Sequence, residues 1–192
     1  MRREFLYTVL WRAAAAASSV ASALISFRLY EHYLSPTVYG LVQVALVVIT
    51  NLPLFDGGFR TAVNRGLLMG NDPAERRQLL DFVQWFNTWL AGGAAVVGVL
   101  AMLAYRWTPN ARESGEPVVF FLSLGVLGGL VLLAAAQSQL LLGLGVQRQM
   151  FIINAGAPWV NLFALWWGLS RGWAAWAFLF SQWVTGLAVI GV

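Results

Sequence analysis

Six apolar segments, each about as long as the hydrocarbon core of a membrane, constrain the fold of this chain more than any motif. They cover approximately residues 6–30, 38–59, 79–105, 117–142, 151–169 and 173–192. A helix needs about 20 mostly apolar residues to cross the hydrocarbon, and it satisfies its backbone hydrogen bonds internally. The predicted fold class is therefore an all-α integral membrane protein, a bundle of six transmembrane helices.

The composition agrees with a membrane protein and argues against several other classes. Hydrophobic residues make up 59% of the chain and charged residues 10%, whereas soluble domains carry about 25% charged residues. The chain has no cysteine and one histidine, so we expect no metal centre built from thiolates or several histidines. The arginines are scattered, which argues against nucleic-acid binding. Because no nucleotide-binding or hydrolase motif occurs, we predict that the protein is not an enzyme and uses no cofactor.

The distribution of arginines predicts the orientation of the helices. The N-terminus and the connections after the second and fourth segments hold seven arginines: Arg2, Arg3, Arg60, Arg65, Arg76, Arg77 and Arg148. The alternate connections hold four: Arg28, Arg106, Arg112 and Arg171. Since cytoplasmic loops are enriched in arginine and lysine, the N-terminus is predicted to be cytoplasmic.

Local signals predict where two helices begin and where a third touches a neighbour. Ser35 followed by Pro36 provides an N-cap and a proline at the first helical position, and Asp72-Pro73 does the same. Gly125 and Gly129 form a GxxxG pair. Such pairs of small residues predict close contact with another helix.

The stretch from Arg28 to Arg65 places charges and helix breakers around the second segment. Pro53 is predicted to kink that helix, and two glycines follow it. Asp56 and Arg60 are spaced i,i+4 and are predicted to form a structural ion pair. Gating or structural roles are assigned to Pro53, Asp56, Gly57, Gly58 and Asp81.

Arg12 lies inside the first segment, about 9 Å beyond Leu6 at 1.5 Å per residue. A charge at that depth is costly unless it faces water, an anion or a carboxylate. Two interpretations stay open: the side chain reaches back to the cytoplasmic headgroups, or it faces a polar cavity. Any single polar residue inside a segment could hydrogen-bond to a neighbouring helix. Nearly every segment carries polar residues, however, and the whole set favours a hydrated cavity. The amides considered with Arg12 are Gln43, Asn154 and Asn161.

Three short motifs resemble those of a known family. LSPTVYG at 34–40 matches its turn into the second helix, DGGFRTAVNR at 56–65 matches its end of that helix, and QLLLGLGVQR at 139–148 matches its exit from the fourth. With the order of the segments, these motifs make the chain similar to the N-terminal lobe of the multidrug/oligosaccharidyl-lipid/polysaccharide (MOP) exporter superfamily. The resemblance is to its polysaccharide flippase (Wzx-like) branch.

The resemblance implies one six-helix lobe of a two-lobe transporter in the bacterial inner membrane. It implies a flippase that moves an undecaprenyl-diphosphate-linked oligosaccharide, such as an O-antigen repeat unit, to the periplasmic leaflet by alternating access. Arginine suits diphosphate because its planar fork binds oxygens bidentately. The residues expected to line the diphosphate and sugar cavity are Arg12, Arg28, Arg60, Arg65, Gln43, Asn154 and Asn161.

The implied partners are the lipid-linked oligosaccharide, membrane lipids, and either a C-terminal lobe or a second copy of the chain. The sequence stops at Val192 inside an apolar run, so we expect it to be truncated at the C-terminus. A two-lobe transporter needs further helices after this point.

Three alternative functions stay open. A drug/cation antiporter of the same superfamily needs buried carboxylates, whereas the first segment holds an arginine and no acidic residue. A membrane-embedded enzyme of glycan assembly needs a catalytic base or metal-binding carboxylates. A non-transporting scaffold subunit is favoured if the protein ends at Val192.

Overall fold

The computed structural model describes residues 2–51, 66, 73–113, 115–143 and 147–190, which are almost entirely helical and include no strand. The helices are α1 (Arg2–Tyr33), α2 (Pro36–Asn51), α3 (Pro73–Arg106), α4 (Pro109–Glu113), α5 (Val118–Gly143), α6 (Gln147–Ser170) and α7 (Ala175–Ile190). The predicted all-α class is confirmed for this part of the chain.

Within the described residues, four helices contain a segment long and apolar enough to cross a membrane, which indicates a multi-pass membrane protein. The segments are Val9–Tyr33, Ala74–Arg106, Val118–Ser138 and Met150–Ser170. Two further apolar helices, α2 and α7, are shorter. The 16 residues of α7 rise about 24 Å, less than the roughly 30 Å of a hydrocarbon core. The predicted second segment continues beyond the described end of α2, so the count of six spans stays a prediction.

The chain divides into two compact units. The first comprises residues 1–42 and 146–192, and the second comprises residues 43–145. In the first unit, α6 packs against both α1 and α7. In the second unit, α3 packs against α5. The sequence predicted a single lobe, and that organisation stays a prediction.

A capped corner joins α1 to α2 in the first unit. The backbone N–H of Val38 donates to Ser35 Oγ at 3.4 Å, and α2 begins at Pro36. This confirms the helix start that the Ser-Pro signal predicted. The ring of Tyr39 lies 6.1 Å from that of Phe27 and 6.5 Å from that of Tyr30, both on α1.

A tight turn after α6 returns α7 alongside it. Gly172 in this turn has a φ of 78°, a conformation that glycine adopts without steric cost. The two helices approach closely at Gly168, where an added Cβ would lie 2.7 Å from the Cβ of Ala177. Three aromatic rings in contact with one another also stabilise this turn: Trp167, Trp173 and Phe180. The turn and its contacts therefore determine which side chains of α6 and α7 face each other.

Glycines let α3 and α5 approach backbone to backbone in the second unit. A Cβ added at Gly125 would lie 2.7 Å from the carbonyl carbon of Gly98. One added at Gly129 would lie 2.6 Å from the carbonyl oxygen of Ala91. The close helix contact predicted from the GxxxG pair is thus confirmed.

Candidate functional site

A polar cavity of about 510 Å³ lies among α1, α6 and α7 in the first unit. Its polar lining consists of two residues from each helix: Ser19 and Ser22, Asn154 and Asn161, and Gln182 and Thr185. The members of each pair are three or seven residues apart, so both fall on one face of their helix. None of the described lining residues carries a charge. This open cavity therefore offers hydroxyl and amide groups on three apolar helices.

Asn161 links α6 to α7 at the wall of this cavity. Its Nδ2 donates to Thr185 Oγ1 at 3.2 Å and to Ser181 Oγ at 3.5 Å. Both hydroxyls donate in turn to backbone carbonyls of α7, that of Thr185 to Ser181 O and that of Ser181 to Phe178 O, each at 2.8 Å. Hydrogen bonds between membrane helices hold them together at modest energy. These hydrogen bonds orient the Asn161 side chain and leave its Oδ1 available as an acceptor.

Pro158 exposes a backbone acceptor at the same wall. It lies inside α6, and having no N–H it cannot donate to the carbonyl of Asn154, four residues earlier. Both residues line the cavity. The carbonyl oxygen of Asn154 thus lacks its usual helical donor, and such freed groups in membrane helices are satisfied by side chains, water or a ligand.

Two amide side chains at the wall are available to a ligand. Within the described part of the chain, neither Asn154 nor Gln182 has a side-chain hydrogen-bond partner. Each amide carries two donors and an acceptor oxygen. Leaving such groups unpaired in an apolar environment is costly, so the cavity favours water or a polar ligand.

Arg12 lies one helical turn from the cavity. Its guanidinium carbon is 5.3 Å from the centroid of the buried Phe151 ring on α6, within the range of a cation–π contact. Ala15 and Ala16 line the cavity on α1, and Asn154 does so one turn beyond Phe151. Among the described residues, no carboxylate pairs with Arg12. Arg12, the charged residue of α1 nearest the cavity, therefore has the Phe151 ring as its partner.

The other predicted site residues lie in different surroundings. Arg28 forms an ion pair with Glu31, at 3.3 Å between Nη1 and Oε2, and its side chain is 82% exposed. Gln43 is half-buried on α2, and Asp81 is exposed on α3; both belong to the second unit. The remaining residues lie outside the described residues: Pro53, Asp56, Gly57, Gly58, Arg60 and Arg65.

The structure thus brings Asn154 and Asn161 to one cavity and places Arg12 beside it. That these residues bind substrate stays a prediction. Sequence reasoning missed Gln182 and Phe151. Gln182 lies three residues before Thr185, and this spacing could have indicated that both share one helix face. The contact of Phe151 with Arg12 depends on the packing of α1 against α6.

Replacing Asn161 with alanine should lower stability by about 1 kcal/mol, because both of its hydrogen bonds to α7 are lost. Thr185→Val should lower it by less, because Asn161 keeps its bond to Ser181 Oγ. The double variant should be no less stable than Asn161→Ala alone, since Asn161→Ala already loses the bond to Thr185. Thermal unfolding in detergent micelles measures these differences. Ser138→Ala is the matched control, because that hydroxyl donates only within its own helix, to Ala134 O at 3.0 Å. Fully additive effects of Asn161→Ala and Thr185→Val would contradict the link.

No protein-family model matches the chain, and neither does any curated protein sequence or solved structure.

Proposed function

We propose that the protein is a membrane transporter that moves a lipid-linked oligosaccharide across the bacterial inner membrane by alternating access. The cargo would be an undecaprenyl-diphosphate-linked glycan such as an O-antigen repeat unit. The observation that carries the proposal is the cavity lined by six hydroxyl and amide side chains among α1, α6 and α7. Polar groups kept in apolar helices commonly mark a substrate path.

The chemistry of the cavity suits sugar hydroxyls. A sugar hydroxyl both donates and accepts, and the wall offers groups of both kinds from Asn154 and Gln182. It also offers the Asn154 carbonyl that Pro158 leaves without a helical donor. A polar ligand in this position replaces hydrogen bonds that water would otherwise make.

The sign of the nearby charge favours an anionic cargo over a cationic one. Arg12 supplies a permanently charged, planar donor group that matches phosphate oxygens. The described lining holds no carboxylate, which a drug/cation antiporter would use for its cargo. A glycan-assembly enzyme is less well supported, because the described lining residues include no general base or group of metal ligands.

The proposal is tested with the full chain in proteoliposomes that carry a fluorescent lipid-diphosphate-linked oligosaccharide in both leaflets. A membrane-impermeant reagent that destroys the outer fluorophore measures transfer between leaflets. We expect faster loss of the inner pool than in protein-free vesicles, with no uptake of organic cations in a parallel assay. Cation uptake without glycan transfer would favour the antiporter, and neither activity would favour a scaffold subunit.

In the same assay, we expect graded decreases in the transfer rate for substitutions at the cavity wall. Asn154→Leu and Gln182→Leu should each slow transfer about 2- to 13-fold, because each removes a hydrogen bond worth about 0.5–1.5 kcal/mol. Asn154→Gln and Gln182→Asn keep the amide and should retain more of the rate. Equal rates for the leucine and amide variants would remove these side chains from the substrate path.

A further inference from the structure

A long apolar groove follows the contact between α3 and α5 in the second unit, with the end of α2 beside it. Its volume is about 520 Å³. Four of the residues that line it are glycines, so parts of its wall carry no side chain. We call it the glycine groove and define it by Trp89 at one end, Met102 at the other, and Gly93, Gly98, Gly125 and Gly128 between them.

The glycine groove is long enough for an acyl chain. Trp89 and Met102 are thirteen residues apart on α3, which corresponds to about 20 Å along the helix. A methylene chain contacts its neighbours at about 4 Å between carbons, so an extended acyl chain can lie along this surface.

The chemistry of the groove selects a hydrocarbon. The described lining consists of aliphatic side chains, glycines and one tryptophan, without a charged, hydroxyl or amide side chain. Apolar cavities of this kind stay dry and accept apolar guests. Both helices that form the groove contain a segment long and apolar enough to cross a membrane. Acyl chains are therefore the apolar guests available at the depth of these two helices.

The Met102 end of the groove carries groups that suit a phospholipid headgroup. Arg106 lies one helical turn beyond Met102 and ends α3. Among the described residues, it pairs with no carboxylate. Trp107 follows and is 70% exposed, and tryptophan next to arginine is typical of the boundary between hydrocarbon and headgroups. A phosphate held at this boundary leaves its acyl chain pointing along the groove.

We propose that the glycine groove binds one acyl chain of a membrane phospholipid, with the phosphate near Arg106. The proposal is independent of the transport function, because the groove lies in the second unit and shares no residue with the polar cavity. A lipid held in this way would contact α3 at Gly93, where no side chain covers the backbone.

Two adjacent glycines offer a matched test. A Cβ added at Gly92 or at Gly93 meets nothing within 4 Å, so α3 itself tolerates a side chain at either position. Gly93 lines the groove and Gly92 does not. Gly93→Phe should fill the groove with its ring, whereas Gly92→Phe places the same ring on a neighbouring face of the helix.

The measurement is native mass spectrometry of the full chain in detergent micelles with added dioleoyl phosphatidylglycerol. We expect the parent protein and Gly92→Phe to retain one lipid, and Gly93→Phe to lose that species while melting at the same temperature as Gly92→Phe. Arg106→Ala should weaken retention about tenfold, through loss of a charge-assisted contact. Equal lipid retention by the two phenylalanine variants would overturn the proposal. A dimer that Gly93→Phe alone dissociates would overturn it too, by assigning the groove to a second copy.

Discussion

Gly125→Ala should sharply reduce the amount of folded protein and lower its melting temperature, although it adds only one methyl group. The added Cβ would lie 2.7 Å from the carbonyl carbon of Gly98 and would also meet the backbone of Val99. The clash is reciprocal, because a Cβ at Gly98 would lie 2.7 Å from the carbonyl oxygen of Gly125. Backbone cannot rotate away as a side chain can, so α3 and α5 must separate along their contact. We expect a cost of about 1–3 kcal/mol or more.

Gly92→Ala is the matched control for this prediction. It adds the same methyl group to α3, where nothing lies within 4 Å, and alanine is the better helix former. Its melting temperature in detergent should equal or exceed that of the parent. Size-exclusion chromatography measures the amount of folded protein for the parent, Gly125→Ala and Gly92→Ala, and thermal unfolding measures their melting temperatures. If Gly125→Ala matched Gly92→Ala, the close backbone contact would be wrong.

Arg12→Ala should reduce glycan transfer more than any single change at the cavity wall. The guanidinium is the permanent charge one turn from the cavity, and it contacts Phe151 across the α1–α6 interface. If it binds the diphosphate, its removal loses charge-assisted hydrogen bonds worth about 1.5–3 kcal/mol, which corresponds to about 10- to 150-fold in rate. Arg12→Lys should recover only part of the rate, since an ammonium lacks the planar fork.

Arg171→Ala separates binding from the general effects of losing an arginine. Arg171 is also in the first unit, and its guanidinium carbon lies 4.9 Å from the Trp167 ring, but it lies at the α6–α7 turn and does not line the cavity. Both variants lose one charge and one cation–π contact. We expect Arg171→Ala to keep transfer near the parent rate when the amounts of folded protein are equalised. Full activity of Arg12→Ala would instead support the interpretation that Arg12 reaches back to the headgroups.

Much of the local structure could be predicted from the sequence because it depends on neighbours along the chain. The Ser35-Pro36 signal marked the start of α2, and α3 begins at the proline of Asp72-Pro73. Each of the six apolar segments overlaps one helix. The third was predicted to begin at Leu79, whereas α3 begins at Pro73. Its first turns carry polar residues, which a hydropathy pattern leaves out of the helix.

The sequence by itself determined that the chain is helical and apolar, and it indicated which faces carry polar or small residues. Only the tertiary structure decided which of these faces meet. Asn161 bonds Thr185 across 24 positions, and Gly125 meets Gly98 on another helix. Periodicity orients a side chain around its own helix axis, whereas a contact between helices depends on how two surfaces pack. For that reason the polar cavity and the glycine groove are properties of the packing, although every residue that lines them was visible in the sequence.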